Sequence, residues 1–438
     1  MSVVKFGTDG IRGRVGEPPI DCQTILHLGW ALGRMVYENH GPSKIIIGKD
    51  TRISGYMIES LLEAGIIAAG CDAVLLGPIP TPGIAYLTKA FRSKASVVIS
   101  ASHNVYSDNG IKIFNANGYK FSSAQQQKLL NYMSSSIKMV PSESLGRAHQ
   151  IHTASERYVE FCKSKFSSRL SLNGIKIVLD CANGANYKVG PEVLIELGAT
   201  VETIHAKPDG TNINRACGSL YPELLKKVVL EKKADIGIAF DGDGDRLTMV
   251  SKSGRICNGD DILYILGRFL CQKNMGVVGT IASNNGLKKA FASSGIAYKQ
   301  TDVGDHKVIE SLIELNWLIG GESSGHLIQL DKNTCSDAII SALTVLNIML
   351  NEDQSLDELI GDFEKNPSYA FNIPRCDQLD LAIYEDAFNE IRSELGPFGK
   401  LLVRPSGTEP VIRFLIEGEH QMAIEQVSKE LKTMFNYV

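Results

Sequence analysis

Between residues 241 and 246 the chain reads Asp-Gly-Asp-Gly-Asp-Arg, three carboxylates at alternate positions with a cation directly after. Like charges packed this closely repel, and they are tolerated together only in water or around a cation. Carboxylate oxygens are hard ligands, so the implied ion is Mg2+ or Ca2+ rather than a thiolate-seeking metal. The intervening glycines let the backbone curl so that the carboxylates converge. Residues 234–240 read as a short buried strand, which would put the loop at a strand's C-terminal edge, where open α/β sheets bind ligands. A solvated Asp/Gly turn is the plain alternative. An EF-hand loop shares the opening aspartates, but its required Gly at position six is Arg246 here and its Glu at position twelve is Lys252.

Three further stretches carry chemistry. A β-branched strand at residues 97–99 runs into Ser100-Ala101-Ser102-His103-Asn104, with Lys112 downstream. Neighbouring residues in a strand face opposite ways, so His103 is not automatically a base for Ser102, and spacing alone makes Ser102 a weak nucleophile candidate. Arg404-Pro405-Ser406-Gly407-Thr408-Glu409-Pro410, with Arg413 nearby, combines guanidinium forks, hydroxyls and a glycine turn into an anion cradle, with an ordinary turn as its rival. Gly320-Gly321-Glu322-Ser323-Ser324-Gly325-His326 contains a formal G-x-S-x-G match that would nominate Ser323 as a hydrolase nucleophile. That elbow requires strand, turn and helix, whereas residues 327–331 read as a strand. Glu, Ser and His on one loop suit hydrogen bonding to a polyol. A cation, a serine, a polyol reader and a phosphate cradle together suggest phosphoryl transfer on a sugar phosphate, where positioning and charge neutralisation do most of the catalysis.

The elements that must carry these loops alternate between strand and helix. Apolar spacing predicts a helix around residues 25–36, a strand at 44–48, a helix at 58–66 and a strand at 73–76. Alternation of this kind argues α/β layers with mixed or parallel sheets. A buried strand, polar loop and helix recur at residues 45–51, 177–184 and 277–286, which suggests three related units. Linkers are expected at 141–154, 251–260 and 362–372. The last segment, with strands at 401–404 and 412–417 and a helix bearing Ile424, Val427 and Leu431, reads as a small α+β domain. At 438 residues the chain can hold several cores, and a net charge of −4 suggests no nucleic-acid surface. No apolar run approaches a membrane span, and the N-terminus lacks a signal-peptide core. Nine scattered cysteines without a CxxC pair suit reduced thiols in a cytoplasm.

Five ordered motifs resemble the α-D-phosphohexomutase superfamily over essentially the whole length: Phe6-Gly7-Thr8-Asp9-Gly10-Ile11-Arg12-Gly13, the serine segment, the carboxylate loop, the Gly-Glu-Ser-Ser-Gly-His loop and the Arg-Pro-Ser-Gly-Thr-Glu-Pro loop. The resemblance implies four domains around a central cleft, three topologically related α/β domains with mixed sheets and a smaller α+β C-terminal domain. Boundaries are expected at 1–153, 154–254, 255–366 and 367–438. It implies that Ser102 is a phosphoserine and that Asp241, Asp243 and Asp245, with a phosphoserine oxygen, bind Mg2+. Arg12, His103, Lys112 and Arg246 would lie near the transferring phosphate, with His103 and Lys112 as candidates for moving the hydroxyl proton. Glu322, Ser324 and His326 would read sugar hydroxyls. Arg404, Ser406, Gly407, Thr408 and Arg413 would hold the non-reacting phosphate.

Finer detail in the serine and sugar loops resembles the amino-sugar branch. That implies an isomerase converting glucosamine 6-phosphate to glucosamine 1-phosphate through glucosamine 1,6-bisphosphate or a related hexose bisphosphate. Its product would supply UDP-N-acetylglucosamine and cell-wall synthesis. A phosphomannomutase or phosphoglucomutase is the alternative, and a serine hydrolase a remote one. The expected partner is a small sugar phosphate, with neither nucleic acid nor membrane, in the cytoplasm, and a homodimer is left open. Closure of the C-terminal domain about residues 362–372 is the expected means of excluding water. The chain departs from the family pattern at Val105, where Pro is usual, and at His306-Lys307, where Arg-Tyr is usual.

Overall fold

The computed structural model describes the whole chain apart from residues 1–3, 8, 362, 375–379, 397–398, 406–410 and 436–438. Its strands form four sheets among the described residues. The first holds β1 (Ile11–Arg14), β2 (Lys44–Lys49), β3 (Asp72–Pro78), β4 (Ala95–Ile99), β5 (Asp108–Asn115) and β6 (Ala148–Gln150), in the order β1-β5-β4-β2-β3-β6. The second holds β7 (Lys176–Asp180), β8 (Thr200–Ile204), β9 (Ile236–Phe240), β10 (Leu247–Ser251) and β11 (Ile256–Cys257). The third holds β12 (Gly276–Thr280), β13 (Ala297–Thr301), β14 (Ile319–Gly321) and β15 (Leu327–Gln329). The fourth, wholly antiparallel, holds β16 (Ser368–Pro374), β17 (Lys400–Pro405) and β18 (Val411–Glu417).

One four-strand unit repeats in the first three sheets. β2 lies parallel between β3 and β4, and β4 returns antiparallel as β5. β7 takes the same place between β8 and β9, with β10 returning. β12 takes it between β13 and β14, with β15 returning. The three strand openings that look alike in the sequence are therefore the same central strand of each copy. These central strands are buried along nearly their whole length, as expected where helices cover both faces of a parallel sheet.

Local chemistry sets the helix ends. Asp21 caps the helix Cys22–His40 by accepting from the amides of Gln23 and Thr24, both at 3.0 Å. Asn258 and Asp261 form a capping box on the helix Gly259–Leu270. The helices Cys22–His40 and Ser54–Ala68 cross closely through glycines: a Cβ at Gly65 would lie 2.4 Å from Leu26 O. One apolar cluster runs through all three repeats, from Ile46 and Val98 through Leu179 and Phe240 to Val277 and Leu343. The C-terminal domain keeps its own core, built on Ile373, Phe388, Phe414, Ile416 and Leu431.

All three expected linkers turn out to be structured: residues 141–154 contain β6, which pairs with β3. Residues 251–260 contain β11, which pairs back on β10, and the capped start of a helix whose Asp260 and Asp261 are buried. In 362–372, Asp362 lies outside the described residues and Ser368 already begins β16, which leaves 363–367 as the connection to the last sheet. β16 and the helix Glu385–Glu394 have no counterpart in the sequence reading. The strand expected at 327–331 ends at Gln329, and that expected at 234–240 begins at Ile236.

Candidate active site

Each repeat contributes the same turn to one cleft. The turn between β4 and β5 carries Ser102, that between β9 and β10 carries Asp241, Asp243 and Asp245, and that between β14 and β15 carries Glu322, Ser324 and His326. The equivalent turn of the last sheet, with Ser406, Gly407 and Thr408, lies outside the described residues. Its two flanks are described, and Arg404 and Arg413 sit opposite each other on β17 and β18.

Ser102 is fully buried, and its Oγ donates to Asp241 Oδ2 at 2.7 Å. The serine lies in a turn with φ 51°, not in the strand, so the alternation expected to separate it from His103 does not apply. The two side chains approach to 3.4 Å between Oγ and Nδ1. Gly242 is required where the serine and carboxylate loops touch, since a Cβ there would lie 2.6 Å from Ser102 O. Val105, at the family's proline position, is exposed, but its carbonyl accepts from Arg52.

The donor atoms of Asp241, Asp243 and Asp245 lie within 4.8 Å of one another, and the three residues are buried. Burial, together with the charges of Asp245 and Asp243, pushes the Asp241 carboxyl up to about 7. Asp243 Oδ2 accepts from Thr81 Oγ1 at 2.6 Å and Lys112 Nζ at 2.9 Å, while its Oδ1 is buried without a partner. A set of hard oxygen donors with one buried carboxylate oxygen unpaired fits a small divalent cation. Lys112, also buried, reaches Asp9 and Asp245 at 3.0 Å as well. Burial disfavours its charge, yet Asp243, Asp245 and Asp9 overrule that and hold it as an ammonium. For His103, burial and the neighbouring Arg246 and Arg12 push the ring down to about 2, leaving it neutral.

The sugar loop is tied to the cation loop. His326 Nδ1 meets Glu322 Oε2 at 2.8 Å and its Nε2 meets Asp245 Oδ1 at 3.1 Å. Burial alone would discharge the ring, but the charge of Asp245 and the hydrogen bonds the ring donates to Asp245 and Glu322 raise it to about 10. As an imidazolium it has no acceptor to offer Arg246 Nε, 3.3 Å away. Glu322 Oε1 accepts from Gly304 N at 2.8 Å, and Ser324 Oγ stands 3.4 Å from Glu322 Oε2. The strand–turn–strand geometry around Ser323 removes the hydrolase elbow, because β15 follows where a helix is required.

These groups line a cavity of about 410 Å3 that runs from Arg12, His103 and Arg246 past Glu322, Ser324 and His326 to Arg404 and Arg413. Burial and the adjacent Arg413 push the Arg404 guanidinium below its usual range, so two guanidinium groups lie side by side at this end of the cavity. His306 lines a different cavity, with Phe6, Lys120 and Ile309 between the first and third repeats. Lys307 is exposed and pairs with Glu310 at 2.9 Å, so neither residue replaces an arginine in the main cleft.

Several residues at the site were not singled out from the sequence. Asp9 pairs with Arg12, Lys112 and Lys120, and Lys120 joins it to Asp305 at 2.8 Å, bridging the first and third repeats. Thr81, at the start of the helix Thr81–Ala90, also fixes the Asp243 carbonyl through its amide at 2.9 Å. Asp9 was within reach of a reading, since it lies in the opening motif. Lys120 and Thr81 stand alone in ordinary contexts, and only the packing of the repeats reveals them. A second cluster, Asp180, His205 and Cys217, has metal-ligand chemistry. Asp180 is committed to the amides of Ala182 and Gly218 and to His205, and burial holds the Cys217 thiol up at about 12, so the cluster braces the loop after β7.

A buried acidic triad able to hold a cation, a buried serine and a pair of facing arginines, carried by the turns of three sheets and the flanking strands of a fourth, suit a phosphosugar mutase type of cleft. The chain belongs to the phosphoglucomutase/phosphomannomutase family: models of its alpha/beta/alpha domains I, II and III match residues 3–138, 156–254 and 258–366, and that of its C-terminal domain matches 371–434. It is 48% identical over 425 residues to the phosphoglucosamine mutase of Pseudoalteromonas translucida (strain TAC 125), covering 96% of this chain and 94% of that one. It is 49% identical over 430 residues to the phosphoglucosamine mutase of Sodalis glossinidius (strain morsitans), covering 97% and 96%. Among solved structures, a phosphoglucomutase/phosphomannomutase family protein from Burkholderia thailandensis superposes with a TM-score of 0.81 at 23% identity, covering 98% of this chain and 96% of that one. Aspergillus fumigatus N-acetylphosphoglucosamine mutase, solved in complex with GlcNAc-6P and magnesium, gives 0.67 at 14%, covering 99% and 95%. At these identities the two structures attest the fold.

Proposed function

We propose that the protein interconverts glucosamine 6-phosphate and glucosamine 1-phosphate, with Ser102 as the phosphate carrier. The observation that carries this is the placement of Ser102 Oγ 2.7 Å from Asp241, directly before His103, which lines one end of a cleft whose other end is the Arg404–Arg413 pair. The names of the full-length relatives support the choice of an amino sugar. Asp241, Asp243, Asp245 and an oxygen of phospho-Ser102 would hold Mg2+. Bound there, the ion neutralises charge on the transferring phosphoryl group.

In the first half-reaction the bond from phosphorus to Ser102 Oγ breaks as one forms to the sugar's 1-hydroxyl, whose proton leaves to a base in the cleft. That proton passes on to Ser102 Oγ, so the serine is left as the free alcohol and the sugar as a 1,6-bisphosphate. The bisphosphate turns over, and its 6-phosphoryl returns to Ser102 as the 6-oxygen regains a proton. Pushed down to about 2, His103 is a weak base, and Lys112 is held as an ammonium, so the charge states single out neither of these two candidates for moving the proton. Glu322 and Ser324 read sugar hydroxyls, with His326 as the charged strut beneath them. Arg404, Ser406, Gly407, Thr408 and Arg413 take each phosphate in turn. The domain units are read as 1–153, 154–254, 255–366 and 367–438, with closure about 363–367 excluding water. No helix among the described residues is long and apolar enough to cross a membrane, and a cytoplasmic setting suits the reading.

Ser102→Ala supplies the test. Wild-type protein mixed with glucosamine 1,6-bisphosphate should gain one phosphate by intact mass, localised to Ser102. The variant should gain none and lose mutase activity. Full activity in the variant would end the phosphoserine reading.

A further inference from the structure

Four carbonyl oxygens of the serine loop converge on one guanidinium. Arg52 is fully buried in the polar loop that follows β2. Its Nη2 donates to Ser102 O at 2.9 Å and Asn104 O at 2.8 Å, and its Nη1 donates to Asp108 O at 3.2 Å and to Val105 O. Asp50 Oδ2 holds its Nε at 2.8 Å and accepts from Ser100 Oγ at 2.6 Å. Ser100 Oγ in turn accepts the amide of Ser102 at 2.8 Å. From the second repeat, Asn214 Nδ2 donates to Ser102 O at 2.8 Å and Asn104 O at 3.0 Å. The residues beside Arg52 pin its loop to the second repeat too, through Thr51 Oγ1 to Asn183 O and Ile53 N to Gly210 O.

Both peptide groups of Ser102 are thus anchored by side chains, and its φ of 51° lies where a residue with a Cβ rarely rests. Such a conformation persists only when its surroundings over-determine it. We propose that Arg52 and Asn214 are positioning residues for phosphoryl transfer, holding the left-handed Ser102 backbone so that its Oγ faces the carboxylate loop. This rests on the reading of Ser102 as the phosphate carrier. Neither residue lines the cleft, so any effect on rate passes through the serine. A planar fork of five donors can serve several carbonyls at once, whereas a compact ammonium on the same stem cannot.

The test uses the full-length Arg52→Lys and Asn214→Gly variants, with Ser102→Ala as control. Glycine at 214 keeps the backbone there at ease, since Asn214 itself has φ 56°. Phosphate uptake from glucosamine 1,6-bisphosphate is followed by rapid quench and intact mass, giving both the rate constant and the fraction of sites labelled. Glucosamine 6-phosphate affinity is measured by calorimetry. Positioning predicts full labelling with a rate constant down about 100-fold in Arg52→Lys and about tenfold in Asn214→Gly, with sugar-phosphate Kd within threefold of wild type. A purely structural role predicts a smaller labelled fraction at an unchanged rate constant, and that result overturns the proposal. If Arg52→Lys does not fold, Asn214→Gly decides: a wild-type rate constant there refutes the role. Labelling of Ser102→Ala would instead remove the underlying reading of the serine.

Discussion

Replacing Asp243 with Asn separates chemistry from binding. Asp243 Oδ2 accepts from Thr81 and Lys112, while Oδ1 has no partner. An asparagine can keep those two contacts through its carbonyl and place its amide where Oδ1 stood. At an effective dielectric of about 20, each like-charged neighbour within 4.8 Å costs about 3.5 kcal/mol, and Lys112 at 2.9 Å offsets about 5.7 kcal/mol. Two repulsions and one attraction nearly cancel, so stability should change by about 1 kcal/mol, a shift in Tm of about 2 °C. The loss falls on the cation. An outer-sphere change typically costs 10–100-fold in metal affinity, so removing an anionic ligand should cost at least about 100-fold. Withdrawing about 4 kcal/mol of charge stabilisation slows transfer about 10³-fold. With Arg404 proposed to hold glucosamine 6-phosphate at the far end, the sugar phosphate should bind within threefold of wild type. Calorimetry with Mg2+ and with sugar phosphate, alongside single-turnover labelling of Ser102, reads all three quantities. Equal loss of sugar-phosphate affinity and transfer rate would refute the division of labour.

Arg404→Ala should raise KM between about 10- and 100-fold, the worth of a charge-assisted hydrogen bond, with Tm little changed; unchanged steady-state kinetics would remove Arg404 from the cradle. Gly242→Ala should cut kcat at least about tenfold, because its Cβ would press on Ser102 O at 2.6 Å and Asn214 Nδ2 at 2.7 Å, while overpacking costs about 1–3 kcal/mol of stability. Initial rates and a melting curve check both parts, and a fully active variant would show that the two loops can part freely. Burial pushes Asp260 up to about 7, above the unfolded value of about 3.9, so the native state binds more protons between these limits. Stability should therefore fall as pH rises from about 4 to about 7, by up to about 1.4 kcal/mol per unit, and Asp260→Asn should flatten that slope. Parallel Tm-against-pH curves for variant and wild type would refute it.

The chemistry of this site was legible where it is concentrated in short runs. Asp241, Asp243 and Asp245 announce a cation by proximity in sequence, and the apolar runs at 45–47, 177–179 and 277–280 announce the central strands. What stayed hidden depends on contacts between residues far apart in sequence. Arg52 sits 50 positions before Ser102 and Thr81 sits 162 before Asp243. Nothing in their local context distinguishes them from a buried arginine or a helix-start threonine. Strand alternation was a poor guide to Ser102 and His103, because the strand ends at Ile99 and both residues lie in the turn after it, the serine with φ 51°. The capped start of the helix at Gly259 was hidden in a segment whose Gly and charge content reads as linker, since Asn258 and Asp261 serve equally in turns and caps.

The spread of the site over the turns of three sheets and the strands of a fourth has a consequence for how the chain can be taken apart. A domain excised from it would carry a well-packed sheet and a quarter of a reaction. No single domain holds both Ser102, the proposed phosphate carrier, and the carboxylates beside it, so the proposed activity is a property of assembly as much as of residues. A nascent chain acquires Ser102 early and the Arg404–Arg413 pair last.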